Sequence, residues 1–184
     1  MTSPDSELRC RLALDETDIA RRVEGLAAKI RERYRERMPC FVGIETRGVP
    51  LARRVRRLLE NGGGEIPLGT LDISLYRDDL DNLGTMPRLK ESDLPFSVDG
   101  VSILLFDDVL FTGRTVKAAI DAITDFGRPE RIELAVLIDR GNRELPIQAD
   151  YVGKELETTR DHYVRVRLWE VDGAEGVEVL SRAE

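Results

Sequence analysis

The chain has 184 residues, of which 41% are hydrophobic and 34% charged, and its formal net charge is −7. This length suits one domain with a substantial core, and no apolar run approaches the ~18 residues that a membrane-spanning helix needs. Because the first residues lack a basic patch followed by an apolar segment, we predict no secretory signal and a cytoplasmic protein, and the two cysteines, Cys10 and Cys40, suggest no disulfide framework.

The N-terminal third predicts a tail, then helix, strand and helix. Residues 1–13 are expected to form a loose tail. Asp15 can cap a helix and Asp18 can close the capping box, so a helix is predicted to begin there. The apolar run 40–44 predicts a short buried strand, and Pro50 is typical of the opening of the next helix.

The middle of the chain contains two more strands and a helix, separated by a long aperiodic segment. Alternation over 70–75 predicts a strand with one polar face, whereas residues 77–97 show no period. A loop of ~20 residues is uncommon in a compact domain unless it is a lid or a binding loop. The apolar run 101–106 predicts a buried strand, and the spacing over 116–123 predicts a helix that ends at Gly127.

The C-terminal third completes an α/β pattern. Residues 132–138 predict a buried strand, and the alternating segments 164–168 and 176–180 predict a closing antiparallel pair. Strands that alternate with helices imply a doubly wound, mostly parallel sheet, in which ligands bind outside the carboxyl ends of the strands. We expect residues 14–184 to form one such domain.

The segment Asp107–Thr115 says most about function. Two acids follow a buried strand, and a Thr-Gly-Arg-Thr turn then opens a helix whose first N–H groups form a ready anion site. Gly113 lets the backbone approach a phosphate closely, and threonine hydroxyls can donate to it. The acids would repel a phosphate but suit the hydroxyls of an attached sugar, so this segment predicts a sugar phosphate ligand.

The same segment resembles the phosphoribosyl-pyrophosphate signature of the type I phosphoribosyltransferases. The match is closer to one family, PyrR, the bacterial pyrimidine-operon attenuation proteins that are also uracil phosphoribosyltransferases. Four segments in the family's order carry the resemblance, which spans about residues 14 to 180: Thr46–Arg53, Leu71–Leu80, Asp107–Thr115 and Asp139–Ile147. The resemblance implies a type I phosphoribosyltransferase fold with a small hood of loop and antiparallel strands, formed by about 139–160.

The resemblance also implies a reaction and its partners. Uracil and phosphoribosyl pyrophosphate would give UMP and pyrophosphate, with Mg²⁺ bound to the substrate's pyrophosphate rather than held by the protein alone. Catalysis would come from stabilising the leaving group and excluding water, and the single histidine, His162, is interpreted as a loop residue and not an acid–base catalyst. UMP and UTP are expected ligands of the same pocket, no membrane partner is expected, and the family forms homodimers and larger assemblies.

Site residues follow from the matched motifs. The ribose hydroxyls would be held by the catalytic acids Asp107 and Asp108, and the 5′-phosphate by Val109, Leu110, Phe111, Thr112, Gly113, Arg114 and Thr115. Pyrophosphate would be bound by Thr46, Arg47 and Gly48, and Arg77 of the long loop would swing in as a catalytic cation. The remaining predicted substrate contacts are Arg140, for uracil, and Val164.

One residue of the phosphate loop helps to choose the base. In oxopurine phosphoribosyltransferases an aspartate precedes the Thr-Gly of this loop and contacts the purine's five-membered ring. Phe111 stands at that position, and a phenyl ring can stack but cannot exchange a proton. The substitution disfavours a 6-oxopurine, whereas uracil makes no such demand.

An alternative from another class is an RNA-binding attenuator that senses UMP or UTP and binds the pyrimidine-operon leader. Residues 21–57 hold 12 Lys/Arg and 4 Asp/Glu, a local charge of +8 that leaves −15 elsewhere. Such a basic half can face RNA, and equally can be solvated arginines on two helices. The family's RNA face is matched by Arg33, Arg143 and Lys154. The face departs from the family at Glu24, Ala28, Asn142 and Gln148, so we predict that catalysis is kept and RNA binding weakened.

Overall fold

A five-stranded parallel sheet is the centre of the fold. The computed structural model describes residues 8–61, 64–74 and 92–182. The central sheet has the order β3-β2-β4-β5-β6, with strands Leu68–Leu71, Cys40–Ile44, Ser102–Leu110, Arg131–Asp139 and Tyr151–Glu155. A second, antiparallel sheet has the order β1-β8-β7, with strands Leu8–Leu14, Gly176–Arg182 and Tyr163–Arg167. The predicted fold class, a doubly wound and mostly parallel sheet with a small antiparallel part, is confirmed.

Helices cover both faces of the parallel sheet and divide the core in two. The helices are α1 (Glu16–Arg33), α2 (Gly48–Glu60), α3 (Arg114–Phe126) and the short α4 (Trp169–Asp172). The apolar stripes of α1 and α2 pack with the small sheet into one cluster, and the stripe of α3 packs into the other. Each fully buried Leu or Ile contributes about 1.5–3 kcal/mol. Within the described residues no helix is long and apolar enough to cross a membrane.

The start of α1 is built as its sequence predicts. The Asp18 backbone N–H donates to Asp15 Oδ1 at 2.8 Å, and the Asp15 N–H donates back to Asp18 Oδ2 at 3.3 Å. This reciprocal capping box satisfies two donors that the first turn of a helix leaves without partners. The apolar residues that recur along α1 are buried as expected: Ile19, Val23, Leu26, Ala27 and Ile30.

The predicted N-terminal tail is wrong for residues 8–13, and residues 1–7 lie outside the described residues. Leu8–Leu14 forms strand β1, which pairs with β8 in the small sheet. Period-2 alternation is present in this segment, but Leu12 is 59% exposed at the sheet edge. Because apolar side chains on an edge strand need not be buried, the pattern resembled a solvated tail.

Two strand boundaries differ from the prediction. The strand predicted over 70–75 is β3, which ends at Leu71, because Asp72 Oδ1 accepts from the Ser74 backbone N–H at 2.8 Å and from its hydroxyl. A local bond of this kind competes with the ladder of a sheet. The acids predicted in a loop after Phe106 lie inside β4, because β4 continues to pair with β5 as far as Leu110.

The predicted hood is also partly regular structure. Tyr151–Glu155 forms β6, which adds a parallel edge strand to the central sheet beside β5. The prediction of loop and antiparallel strands over 139–160 was therefore wrong for this stretch. A five-residue strand that contains Gly153 and ends in two charged residues carries little period-2 signal.

A buried carboxylate links α1 to the sheet. Glu133 is 6% exposed and accepts hydrogen bonds from the hydroxyls of Tyr34 at 2.6 Å and Tyr151 at 2.9 Å and from Arg131 at 3.0 Å. Burial opposes ionisation of Glu133, but these three hydrogen bonds outweigh it and lower the pKa of the carboxyl. Its charged form therefore stabilises the fold.

Replacement of Glu133 by glutamine tests this link. A lowered pKa in the folded state contributes stability above the unfolded pKa, and that contribution is lost as the pH falls through the folded value. We expect Glu133→Gln to lower the unfolding free energy by about 1–3 kcal/mol at pH 7 and to flatten its decline in acid. Chemical denaturation between pH 3 and 7 measures both, and an unchanged acid limb would contradict the assignment.

Candidate active site

Three loops meet at the carboxyl edge of the parallel sheet. They follow the adjacent strands β2, β4 and β5, and they carry the segments 45–47, 111–113 and 140–150. Parallel strands end at the same edge, so the predicted pyrophosphate, phosphate and hood segments lie on one side of the sheet. The sequence predicted one composite site from these three loops, and the topology brings the loops together.

Two consecutive acids lie near the end of β4. Asp107 is 5% exposed, Asp108 is half-buried, and the Asp108 backbone N–H donates to Asp107 Oδ1 at 2.9 Å. Burial raises the pKa of Asp108, while its hydrogen bond with Asp107 and the positive charge of Arg47 act in the opposite direction. The carboxylate of Asp108 is thus costly to keep charged, and a further donor or cation would favour its ionised form.

The segment 111–113, the predicted phosphate loop, turns sharply at Gly113. This residue has φ +93°, a conformation that strains any residue with a side chain, and it is the N-cap of α3. The Arg114 N–H points back to Thr112 Oγ1 at 3.4 Å, and the first-turn amides of a helix have no acceptor within the helix. The turn therefore offers N–H groups and the positive end of a helix dipole to an anion.

The hood is fastened to the phosphate loop by backbone and side-chain bonds. The Thr112 carbonyl accepts from the N–H groups of Glu144 at 2.9 Å and Leu145 at 3.1 Å. Arg143 donates to the carbonyls of Phe111 at 3.0 Å and Ile147 at 2.9 Å and pairs with Asp139. Arg114 and Glu144 add an ion pair at 3.0 Å. Hood and phosphate loop therefore hold each other in place.

Arg140 packs against Phe111 of the phosphate loop. It is 4% exposed, and its guanidinium carbon lies 4.0 Å from the centre of the Phe111 ring. Its Nη2 donates to the carbonyls of Thr159 at 2.8 Å and His162 at 2.7 Å, and its Nε donates to the hydroxyl of Thr158 at 3.1 Å. Burial lowers the pKa of Arg140, and within the described ranges no carboxylate forms an ion pair with it. The residue predicted to recognise uracil also holds the segment 158–162.

A lysine at position 140 would separate charge from geometry. Lysine keeps the positive charge but lacks the planar fork that reaches two carbonyls and stacks on Phe111. We expect Arg140→Lys to lower the unfolding free energy by about 1–3 kcal/mol, because buried acceptors lose their donors. Urea denaturation measures this, with Arg160→Lys, an exposed arginine of the same segment, as the matched control. Equal stability of the two variants would contradict the structural role.

The segment 45–47, the predicted pyrophosphate loop, packs with Gly48 tightly against β4. Its Arg47 forms an ion pair with the C-terminal segment. A Cβ at Gly48 would lie 2.2 Å from the Phe106 carbonyl oxygen, so only glycine fits there. Arg47 donates to Asp172 through Nε at 3.0 Å and Nη2 at 2.6 Å, while Thr46 is exposed. The pair lowers the pKa of Asp172. Sequence patterns did not identify Asp172 as the partner of Arg47, because a contact across 125 positions leaves no local signal.

The other residues singled out from the sequence lie in different environments where the structure describes them. Val164, predicted as a substrate contact, is 7% exposed on β7 and packs in the core cluster of α1 and α2. Arg33 is exposed and pairs with Glu133 at 3.8 Å, and Lys154 lines a cleft between α1 and β6. The proposed catalytic cation, Arg77, lies outside the described residues. His162 is half-buried and accepts from the Thr159 N–H at 3.3 Å, a local structural contact.

Comparison with known proteins agrees with this geometry. The family model described as a phosphoribosyl transferase domain matches residues 13–172. A protein of Deinococcus radiodurans named Bifunctional protein PyrR is 47% identical over 183 residues, which is 98% of this chain and 97% of that protein. The chain belongs to the PyrR family of phosphoribosyl transferases. PyrR proteins of Roseiflexus (52% identical, covering 91% of this chain and 93% of that one) and Thermus thermophilus (55%, covering 77% and 79%) are also similar.

Solved structures support the same fold. A hypoxanthine-guanine phosphoribosyltransferase of Bacillus anthracis aligns with a TM-score of 0.70 at 17% identity, covering 94% of this chain and 98% of that one. A hypoxanthine phosphoribosyltransferase of Staphylococcus aureus aligns with a TM-score of 0.66 at 20% identity, covering 94% and 92%. At such low identity these neighbours show only that this chain shares their fold, and the choice of base depends on the site.

Proposed function

We propose that this chain is a uracil phosphoribosyltransferase that converts uracil and phosphoribosyl pyrophosphate to UMP and pyrophosphate. One observation carries the proposal: the acids Asp107 and Asp108 and the anion-binding turn at Gly113 belong to one strand–loop–helix unit at the carboxyl edge of the sheet. Diol-binding acids beside a phosphate turn suit ribose 5-phosphate. The PyrR relatives, which share about half of this sequence, support uracil as the base.

The mechanism follows from where charge develops. Displacement of pyrophosphate by a ring nitrogen leaves positive charge on the ribose and adds negative charge to the leaving group. Asp107 and Asp108 hold the ribose hydroxyls, the turn at Gly113 holds the 5′-phosphate, and Arg47 lies where it can neutralise the leaving group. Fixing both ends of the substrate restricts the anomeric carbon to one orientation toward the base.

The acids also fit a magnesium ion bound with the substrate. Among the described residues no group of three or more acid, cysteine or histidine side chains lies close enough together to hold a metal ion. Carboxylate oxygens such as those of Asp107 and Asp108, completed by pyrophosphate oxygens and water, are the ligands that Mg²⁺ prefers. When bound, Mg²⁺ would supply positive charge to the leaving group. The same approach of positive charge would favour the ionised form of Asp108.

We place the base against a wall formed by Phe111 and Arg140. The ring of Phe111 stacks on the guanidinium of Arg140, so each side chain restrains the other. A phenyl group makes no proton exchange with a purine's five-membered ring, so this wall favours a pyrimidine. The preference is measurable as the ratio of kcat/KM for uracil to that for hypoxanthine.

A direct assay tests the proposal. Purified protein is incubated with uracil, labelled phosphoribosyl pyrophosphate and Mg²⁺, and UMP is separated from substrate. We expect UMP to form with uracil, and with hypoxanthine no product above background. Intact nucleotide binding without UMP would instead favour a sensor of UMP or UTP.

We also propose that RNA binding, a second activity in the family, is weak in this chain. On α1, Glu24 is exposed and would repel a phosphate, and the neighbouring Ala28 offers no donor. Arg143, which matches the family's RNA face, has a side chain only 21% exposed and is engaged within the hood. The chain therefore retains less of an RNA-binding surface than its local charge suggests.

A titration with pyrimidine-operon leader RNA measures this weakness. We expect a dissociation constant above about 1 µM in ~0.1 M salt, typical of sequence-independent contacts at modest charge. The double variant Glu24→Thr/Ala28→His restores the family's residues on α1 and should tighten binding. Nanomolar binding by the native chain would overturn the prediction.

A further inference from the structure

The short turn after β7 is docked against the pyrophosphate loop. Arg47 Nε donates to Asp172 Oδ2 at 3.0 Å, and its Nη2 donates to Oδ1 at 2.6 Å. Asp172 Oδ2 also accepts from the Leu168 backbone N–H at 2.9 Å, at the start of α4. The carboxylate that pairs with Arg47 is therefore itself fixed by the turn that carries it.

A second group of ion pairs fastens the same turn to α2. Arg54 donates to Glu170 at 2.8 and 2.6 Å and to Glu175 at 2.5 and 2.8 Å. The Glu175 side chain is only 3% exposed. Arg54 lies seven residues, or two helical turns, after Arg47, so both arginines face the same segment. Arg54 makes four charge-assisted bonds to the turn and Arg47 makes two, and together they hold the turn against α2.

The geometry of the Arg47–Asp172 pair leaves one edge of the guanidinium for a phosphate. A guanidinium has five N–H donors in a planar fork, and Asp172 occupies Nε and one hydrogen of Nη2. The adjacent end edge carries Nη1 and the second Nη2 hydrogen, a spacing that suits two phosphate oxygens. An arginine held along one edge has few rotamers left to lose when the other edge binds its ligand.

We propose that Asp172 is a positioning residue, which holds Arg47 in the orientation that neutralises the departing pyrophosphate. The proposal rests on the proposed function, because it takes pyrophosphate as the ligand of Arg47. A pre-oriented donor is worth most in the transition state, where charge on the leaving group is still increasing. Asp172 therefore acts on turnover through Arg47 and makes no contact with the base.

The first test compares two substitutions with a matched control. We expect Asp172→Ala to lower kcat by about 10-fold to 10²-fold, to raise the inhibition constant of pyrophosphate, and to leave the KM for uracil unchanged. Asp172→Asn keeps one acceptor and should recover part of the loss. The control is Glu178→Gln. The side chain of Glu178 is 19% exposed, against 17% for Asp172, but it pairs with Arg165 and Arg167. Its kinetics should match those of the native enzyme.

The second test is a double-mutant cycle. If Asp172 acts through Arg47, Asp172→Ala should cause no further loss of kcat in an Arg47→Ala background. Additive losses would overturn the proposal, as would tighter pyrophosphate binding by Asp172→Ala, which would identify Asp172 as a competitor for Arg47.

Calorimetry with pyrophosphate and Mg²⁺ separates this proposal from the proposed function, because binding does not require turnover. Weaker binding by Asp172→Ala supports positioning even if the native chain makes no UMP. Unchanged binding overturns positioning even if UMP is made, and absence of pyrophosphate binding by the native chain overturns both.

Discussion

Replacing Asp108 by asparagine is expected to reduce UMP formation greatly while making the folded chain more stable at neutral pH. Burial raises the pKa of Asp108, so keeping this carboxylate charged lowers the free energy of unfolding. A group whose folded pKa is raised contributes stability below its unfolded pKa, and the contribution is lost as the pH rises through the folded value. Asparagine carries no charge and avoids that loss of stability. Its amide has one acceptor oxygen, whereas a carboxylate has two with which to bind the ribose hydroxyls.

Both effects are large enough to measure. We expect a fall in kcat/KM of at least about 10²-fold and a rise in melting temperature of a few degrees, since ~1 kcal/mol shifts a domain of this size by ~2–4 °C. Thermal unfolding at pH 5 and pH 8 should show the larger gain at pH 8. Asp121→Asn, which removes an exposed acid on α3, is the control. An active Asp108→Asn enzyme, or one that is destabilised at pH 8, would contradict the role given to this carboxyl.

The elements that the sequence predicted well are those whose stability is local or periodic. Helix α1 has its capping box at its first turn and its apolar stripe along its length, and β5 contains the uninterrupted apolar run 134–138. The sharp turn at Gly113 was also predictable, because glycine and the neighbouring threonines influence the backbone locally. Such features depend on neighbours in sequence, so one chain is enough to find them.

The features that sequence reasoning missed depend on partners far along the chain. Strand β1 exists because β8 pairs with it, and β4 runs on through both acids because β5 is long enough to pair with them. Arg47 was predicted to bind an anion, but the carboxylate that holds it is 125 residues away. Candidate site residues were therefore predictable by type and loop, whereas the distant side chains that contact them required the structure.

Alanine at Gly48 is expected to cost both stability and activity, although it adds only one methyl group. That methyl would lie 2.2 Å from the Phe106 carbonyl oxygen and 3.3 Å from Asp107 Cα, so the pyrophosphate loop and β4 must separate. Forcing extra atoms into a packed interior costs about 1–3 kcal/mol, and backbone cannot give way as a flexible side chain does. The shift would move Arg47 away from the acids, so we expect kcat/KM to fall by about 10²-fold or more.

Gly25 provides the matched control for this substitution. It lies on α1, and a Cβ there meets nothing within 4 Å. Because glycine weakens the interior of a helix, Gly25→Ala should raise stability by about 0.5–1 kcal/mol and leave turnover unchanged. Urea denaturation and the UMP assay on both variants measure the difference. If Gly48→Ala matched Gly25→Ala in stability and rate, the pyrophosphate loop would not lie against the strand that carries the acids, and the composite site would lose its geometric basis.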